Sequence, residues 1–113
     1  MNKNTVLLLT FSAFSAAGSQ LLFKVGARGK DHWQDFINSP IVFGLLLYAA
    51  GSIVWIYTLS KESIVNVYAF SALTFVLVYL GGVFLMGERL SPAGFAGVGL
   101  VLSGLYLITN YNV

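Results

Sequence analysis

None of the four acidic residues of this chain lies inside its long apolar runs. Asp31, Asp35, Glu62 and Glu88 all fall between the runs or at their edges. Exchange of protons for a cationic cargo within a bilayer calls for an acid there, because ionisable groups at that depth are expensive and mark function. Cysteine is also absent, which excludes disulfides and thiolate metal sites. The single histidine, His32, has only Asp31 and Asp35 nearby, a poor set where zinc usually takes three or four shaped ligands. Charged residues make up 9% of the chain, against roughly 25% in soluble domains. The net charge of +2 is too small to suggest nucleic-acid binding. No grouping of acid, base and nucleophile suggests an enzyme, and no metal or cofactor is expected.

What remains is apolar. Hydrophobic residues reach 58% and the mean hydropathy is +0.83. Runs at about 5–26, 40–60, 64–86 and 92–109 are each near the roughly 20 residues that cross a hydrocarbon core. The expectation is an all-α integral membrane protein, one four-helix membrane domain over residues 1–113. The first run reads as a retained span: it exceeds the usual apolar core of about 7–15 residues in a leader and ends in Lys24. Four helices enclose little space, so one copy reads as half of an assembly. Without a partner, polar side chains of the first and third helices would face lipid.

The first helix, from Asn4 or Thr5 to about Val25, carries Ala13, Ala16, Ala17, Gln20 and Lys24 on one side. In the connection ARGKDHWQDFINS (Ala27–Ser39), Trp33, Phe36 and Ile37 oppose Asp31, Gln34 and Asp35. Residues 31–38 read either as a short interfacial helix with Trp33 at head-group depth or as a polar loop. Ser39-Pro40 and Ser91-Pro92 each read as an N-cap serine followed by a first-turn proline. S-P-x-x-F occurs twice, ending at Phe43 and Phe95; an internal repeat and shared capping chemistry both explain it. The short Leu59–Ser63 turn makes the second and third helices antiparallel neighbours. The third helix carries Asn66, Tyr68, Ser71, Thr74 and Tyr79. The fourth is rich in small residues, with Gly97 and Gly104 on one face and Gly99 and Ser103 on another. Small residues let helices approach closely in lipid, and that face suits a dimer seam or packing within the chain. Basic residues divide as Lys3 and Lys61 against Arg28, Lys30 and Arg89, with Lys24 joining the second group if it snorkels, so orientation stays open.

Lys24 is the first candidate for chemistry. A lysine at mid-membrane costs about 2.5–3.5 kcal/mol on insertion scales, and one near a helix end escapes by snorkelling. Gln20, four residues earlier, shares its face. Ammonium and amide together would suit phosphate or pyrophosphate oxygens, with Arg28 adding charge just outside. Glu88 and Arg89 precede the last helix, where a carboxylate is favoured by the helix dipole; Glu88, Ser91, Pro92, Ser39 and Pro40 read as helix-entry residues. Tyr48, Trp55 and Tyr57 read as interfacial belt or groove lining.

Three segments carry a family resemblance: G-S-Q-L-L-F-K (Gly18–Lys24), V-Y-A-F (Val67–Phe70) and G-E-R-L-S-P (Gly87–Pro92) before a glycine-rich helix. Together they resemble the four-helix branch of the drug/metabolite transporter superfamily, over nearly the whole chain. That branch holds the small multidrug resistance exporters and the paired subunits that flip aminoarabinose-phosphoundecaprenol. The resemblance implies a small multidrug resistance-like bundle acting as a homodimer, or as a heterodimer with a related four-helix subunit. Exporters of the branch carry a proton-exchanging glutamate eight residues before the corresponding lysine, where this chain has Ala16. Their tryptophan three residues after the third-helix tyrosine is replaced here by Ser71, and the proline typical before that tyrosine is absent from Ser63–Val67. Gln20 with Lys24, and Glu88 ahead of Ser91-Pro92, look like the flippase subunits.

The leading expectation is a multi-pass bacterial inner-membrane flippase, or a subunit of one, for a polyprenyl-phosphate-linked sugar or similar anionic lipid. Lys24, Gln20 and Arg28 would hold the phosphate, Tyr68, Ser71 and Tyr79 would line the path, and Gly97, Gly99, Ser103 and Gly104 would pack the dimer. A small-molecule exporter and a non-transporting accessory subunit of a glycolipid-processing complex are the alternatives.

Overall fold

The structure, a computed structural model, describes residues 2–111. The helices are α1 (Lys3–Ala27), α2 (Ser39–Leu59), α3 (Ile64–Ala69), α4 (Ser71–Leu85) and α5 (Pro92–Tyr111), with one 3₁₀ turn at Trp33–Phe36. They make four stretches long and apolar enough to cross a membrane, α3 and α4 acting together as one. At about 1.5 Å of rise per residue, twenty helical residues match a hydrocarbon core of about 30 Å.

Asparagines start the first two helices. Asn2 Oδ1 accepts from the Thr5 amide at 2.8 Å. Asn38 Oδ1 accepts from the Ile41 amide at 3.2 Å, while its Nδ2 donates to the carbonyls of Gly26 and Asp35, each at 2.9 Å. The expected cap at Ser39 is therefore displaced by one residue: Ser39 and Pro40 occupy the first turn of α2. The Asn38 amide accepts from the new helix through its oxygen while its nitrogen, with two protons, donates to both carbonyls at the end of the preceding segment. Ser91 does cap α5, its Oγ accepting from Gly94 N–H at 3.1 Å, with Pro92 first in the helix. The two Ser-Pro pairs thus share letters and differ in role.

The third apolar run is not one continuous helix. Phe70 breaks it with φ −71° and ψ −11°, its N–H reaching Val67 O at 3.0 Å in a tight 3₁₀-like step. Ser71 Oγ then donates to Tyr68 O at 2.7 Å. No proline stands there; the Phe70 ring is drawn into a core with Leu9 and Val67, flanked by Trp55, Leu59 and Leu73. In the first connection, the ordered helix is the single 3₁₀ turn and does not extend over residues 31–38. Trp33 and Ile37 project from that segment, each 73% exposed.

Packing is uneven. The α1–α2 pair forms the most extensive helix contact, α4 also packs on α1, and α5 makes lighter contacts with α3 and α4. At the seam, a methyl on Gly51 would stand 2.8 Å from Ser15 Cβ, and one on Gly44 would stand 2.8 Å from Phe23 Cε1. Ser12 Oγ donates across this contact to Gly51 O at 2.9 Å. Close approach of small residues substitutes in lipid for the hydrophobic drive that water would supply.

Candidate functional site

A cleft of about 320 Å³ opens between α1, α2 and the start of α4. From α1 come Ser12, Ala16 and Gln20, spaced four apart so that successive side chains follow one side of the helix. Tyr48, Gly51, Ser52 and Trp55 come from α2, and Ser71 and Thr74 from α4. The break at Phe70 puts Ser71 at the head of a new helix, where it and Thr74 both face the cleft. Gly51 lets α2 sit close enough for Ser12 to reach its carbonyl.

The polar wall divides into two groups. Ser12 and Ser71 spend their protons on the carbonyls of Gly51 and Tyr68. The Gln20 amide and the hydroxyls of Tyr48, Ser52 and Thr74 have no intramolecular partner among the described residues. Every fully buried side-chain nitrogen or oxygen among them is satisfied. Free hydrogen-bonding capacity is thus concentrated where a ligand can reach it. The wall carries no carboxylate and no cation among the described residues.

Of the six residues expected from sequence to bind substrate, the cleft brings together Gln20 and Ser71. Lys24 lies one turn beyond Gln20 on α1, exposed and outside the lining. Arg28, at the C-terminal cap of α1, donates from Nη2 to Met86 Sδ at 3.3 Å, placing the ends of α1 and α4 at the same side of the bundle. Tyr68 and Tyr79 are exposed and off the lining; the Tyr79 ring rests on Phe75, centroids 4.5 Å apart. Tyr48 and Trp55 line the groove, whereas Tyr57 stays outside with Lys61 Nζ 5.7 Å from its ring. Sequence reasoning missed Ser12 and Ser52. Ser12 continues the Ala16–Gln20 spacing by one step, a signal that was present; Ser52 had none.

Beyond α4, Gly87 adopts φ +69° and lets Glu88 N–H fold back to Gly82 O at 3.0 Å. The Glu88 carboxylate lies over Gly82, where a methyl would meet Oε1 at 2.9 Å. On α5 three glycines face open space: a methyl on Gly97, Gly99 or Gly104 would meet nothing within 4 Å. Close packing within the chain is therefore not what these three glycines serve. Ser103 is likewise exposed, its Oγ donating to Gly99 O at 2.8 Å.

Four apolar spans, three of them walling a polar cleft, make a multi-pass membrane protein whose architecture suits a transporter. The chain belongs to the EamA-like transporter family, in the drug/metabolite transporter group, whose signature spans residues 2–110. It is 26% identical over 108 residues to an Aeromonas hydrophila protein described as "probable 4-amino-4-deoxy-L-arabinose-phosphoundecaprenol flippase subunit ArnE", covering 91% of this chain and 95% of the relative. A Hamiltonella defensa protein of the same description is 25% identical over 109 residues, covering 93% and 96%. The Erwinia tasmaniensis "probable 4-amino-4-deoxy-L-arabinose-phosphoundecaprenol flippase subunit ArnF" is 34% identical over 73 residues, covering 63% of this chain and 58% of its own. No solved structure matches the chain.

Proposed function

We propose that the chain is a flippase, or a subunit of one, that moves a polyprenyl-phosphate-linked sugar or similar anionic lipid across the bacterial inner membrane. One observation supports this reading: the cleft is acid-free and walled by Gln20 and free hydroxyls, and Lys24 follows Gln20 by one turn along α1. The head group occupies the cleft, and the phosphate meets the Lys24 ammonium with Arg28 just outside. Such charge-assisted hydrogen bonds are roughly twice as strong as neutral ones. The polyprenyl tail stays in lipid, along the exposed aromatic side of α3 and α4 marked by Tyr68 and Tyr79. The relatives' names, which specify a phosphoundecaprenol-linked sugar and a subunit, support the same direction.

Drug export by proton exchange is the weaker reading. Ala16, at the position resembling the exporters' glutamate, lies on the cleft wall and leaves that wall without an acid. The outward glycines of α5 suit a second four-helix subunit, identical or related. The test is flipping of a labelled polyprenyl-phosphate sugar by the full chain in proteoliposomes. Lys24→Ala is expected to slow it by about tenfold or more, the loss of roughly 1.4 kcal/mol or greater. An unchanged rate removes Lys24 from the site.

A further inference from the structure

We infer that a second cavity, at the end of the bundle away from Lys24, is a site for one acyl chain of an anionic phospholipid. The inference does not rest on the flippase reading and concerns a different part of the molecule. The cavity, about 450 Å³, lies between the start of α1 and the second half of α5, walled by Val6, Phe70, Leu102, Leu105 and Tyr106. It exists because α5 packs on α3 and α4 while α1 and α5 make no extensive contact. Phe70 stands on its inner side. That ring belongs to the core with Leu9 and Val67, and Trp55, which flanks the same core, lines the cleft. A layer of side chains thus separates the two cavities.

The walls present hydrocarbon. Thr109 and Asn110 complete the lining, but their donors turn back onto their own helix: Thr109 Oγ1 donates to Leu105 O and Asn110 Nδ2 to Tyr106 O, each at 2.9 Å. Both helices are spans, so the surrounding medium is lipid, and a void there forgoes dispersion contacts. One turn of a helix about 10 Å across already takes up roughly this volume. A span from a partner subunit therefore does not fit, whereas a flexible chain does. Charge selects the head group. Lys3 sits one turn before Val6 on the same side of α1, exposed and without an ion-pair partner among the described residues. A lysine at the membrane surface attracts anionic lipid. Val6 and Lys24 are eighteen positions apart, about 27 Å of helix and nearly the full hydrocarbon thickness. A cargo whose phosphate meets Lys24 starts from the far leaflet; a phospholipid beside Lys3 reaches the cavity directly with its chain.

Photolabelling separates a site from ordinary boundary lipid. The full chain is placed in phosphatidylcholine nanodiscs with increasing amounts of phosphatidylglycerol carrying a diazirine midway along one acyl chain, and tandem mass spectrometry locates the label. Labelling at Val6, Leu102 or Leu105 is expected to saturate, while labelling at Leu100, 74% exposed on α5, rises in proportion to the probe. Unlabelled phosphatidylglycerol is expected to displace the saturable label at about fivefold lower concentration than phosphatidylcholine, the effect of one surface cation, and Lys3→Ala to remove that preference. Leu105→Trp, which fills the cavity, is expected to abolish the saturable part, and Leu100→Trp to leave it. Proportional labelling at every position shows boundary lipid only and overturns the inference. Equal displacement by the two phospholipids overturns the anionic assignment. Displacement by undecaprenyl phosphate at lower concentration than by phosphatidylglycerol gives the cavity to a polyprenyl tail and also overturns it, leaving the flippase reading untouched. If L105W does not fold, saturation and the order of displacement in the unmutated chain decide alone.

Discussion

Helices α1 and α5 are both apolar, both long enough to span a membrane and both studded with small residues, yet they live in different surroundings. In its most apolar window α1 is 33% buried within the chain, whereas α5 is 6% buried. The small residues of the α1–α2 seam have neighbours at van der Waals range or closer, and Ser12 uses the approach to bond Gly51. Gly97, Gly99 and Gly104 of α5 look onto open space. The same residue type therefore records an internal contact in one helix and an unfilled one in the other. In lipid, where burying apolar surface gives helices no advantage over tails, only close packing and polar contacts repay such residues. The seam holds the cleft's walls together; the outer face is the one proposed to take a second subunit.

Substitutions at matched positions can break this contrast. The largest effect is expected from Gly51→Leu, which drives a side chain into Ser15 and should cost about 3 kcal/mol, the upper part of the usual overpacking range. Reversible unfolding in mixed micelles measures it. Asn38→Ala removes the α2 cap and both bonds that tie it to Gly26 and Asp35, and should cost about 2 kcal/mol. Ser12→Ala deletes one interhelical hydrogen bond and should cost about 0.6 kcal/mol, the average for such bonds within membranes. Gly104→Leu should change the stability of the single chain by less than about 0.5 kcal/mol, while shifting any dimer toward monomer in cross-linking or native mass spectra. A Gly104→Leu penalty as large as that of Gly51→Leu would abolish the distinction between the two helices.

Much of the architecture is legible in the chain, because hydropathy and capping chemistry are local. The four apolar runs, the tight turn after Leu59 and the start of α5 at Ser91-Pro92 all follow from residues close in sequence. The break at Phe70 does not. Nothing in V-Y-A-F-S-A departs from good membrane-helix composition, and the interruption comes from a ring pulled toward Leu9, sixty-one positions away. The Ser39 expectation went astray because the asparagine before it also serves Gly26, a contact visible only once α1 and α2 are antiparallel. At the site, Gln20 and Ser71 stood out as polar residues in apolar surroundings, and the cleft unites them. The gathering of Ser52 and Thr74 with them depends on how three helices are rotated, which composition does not encode. Tyr68 and Tyr79, expected to line the path together with Ser71, stand off the cleft lining.

The central claim is that the ammonium of Lys24 meets the phosphate of a bound lipid while the head group lies in the cleft. Nitrogen–phosphorus dipolar recoupling in the solid state, on protein carrying ¹⁵N-lysine with polyprenyl-phosphate sugar bound, measures this contact directly. A charge-assisted bond of about 2.8 Å from nitrogen to a phosphate oxygen should give strong dephasing of one lysine signal, which Lys24→Arg removes. Dephasing confined to Lys3, Lys30 or Lys61, or no dephasing with lipid bound, would contradict it.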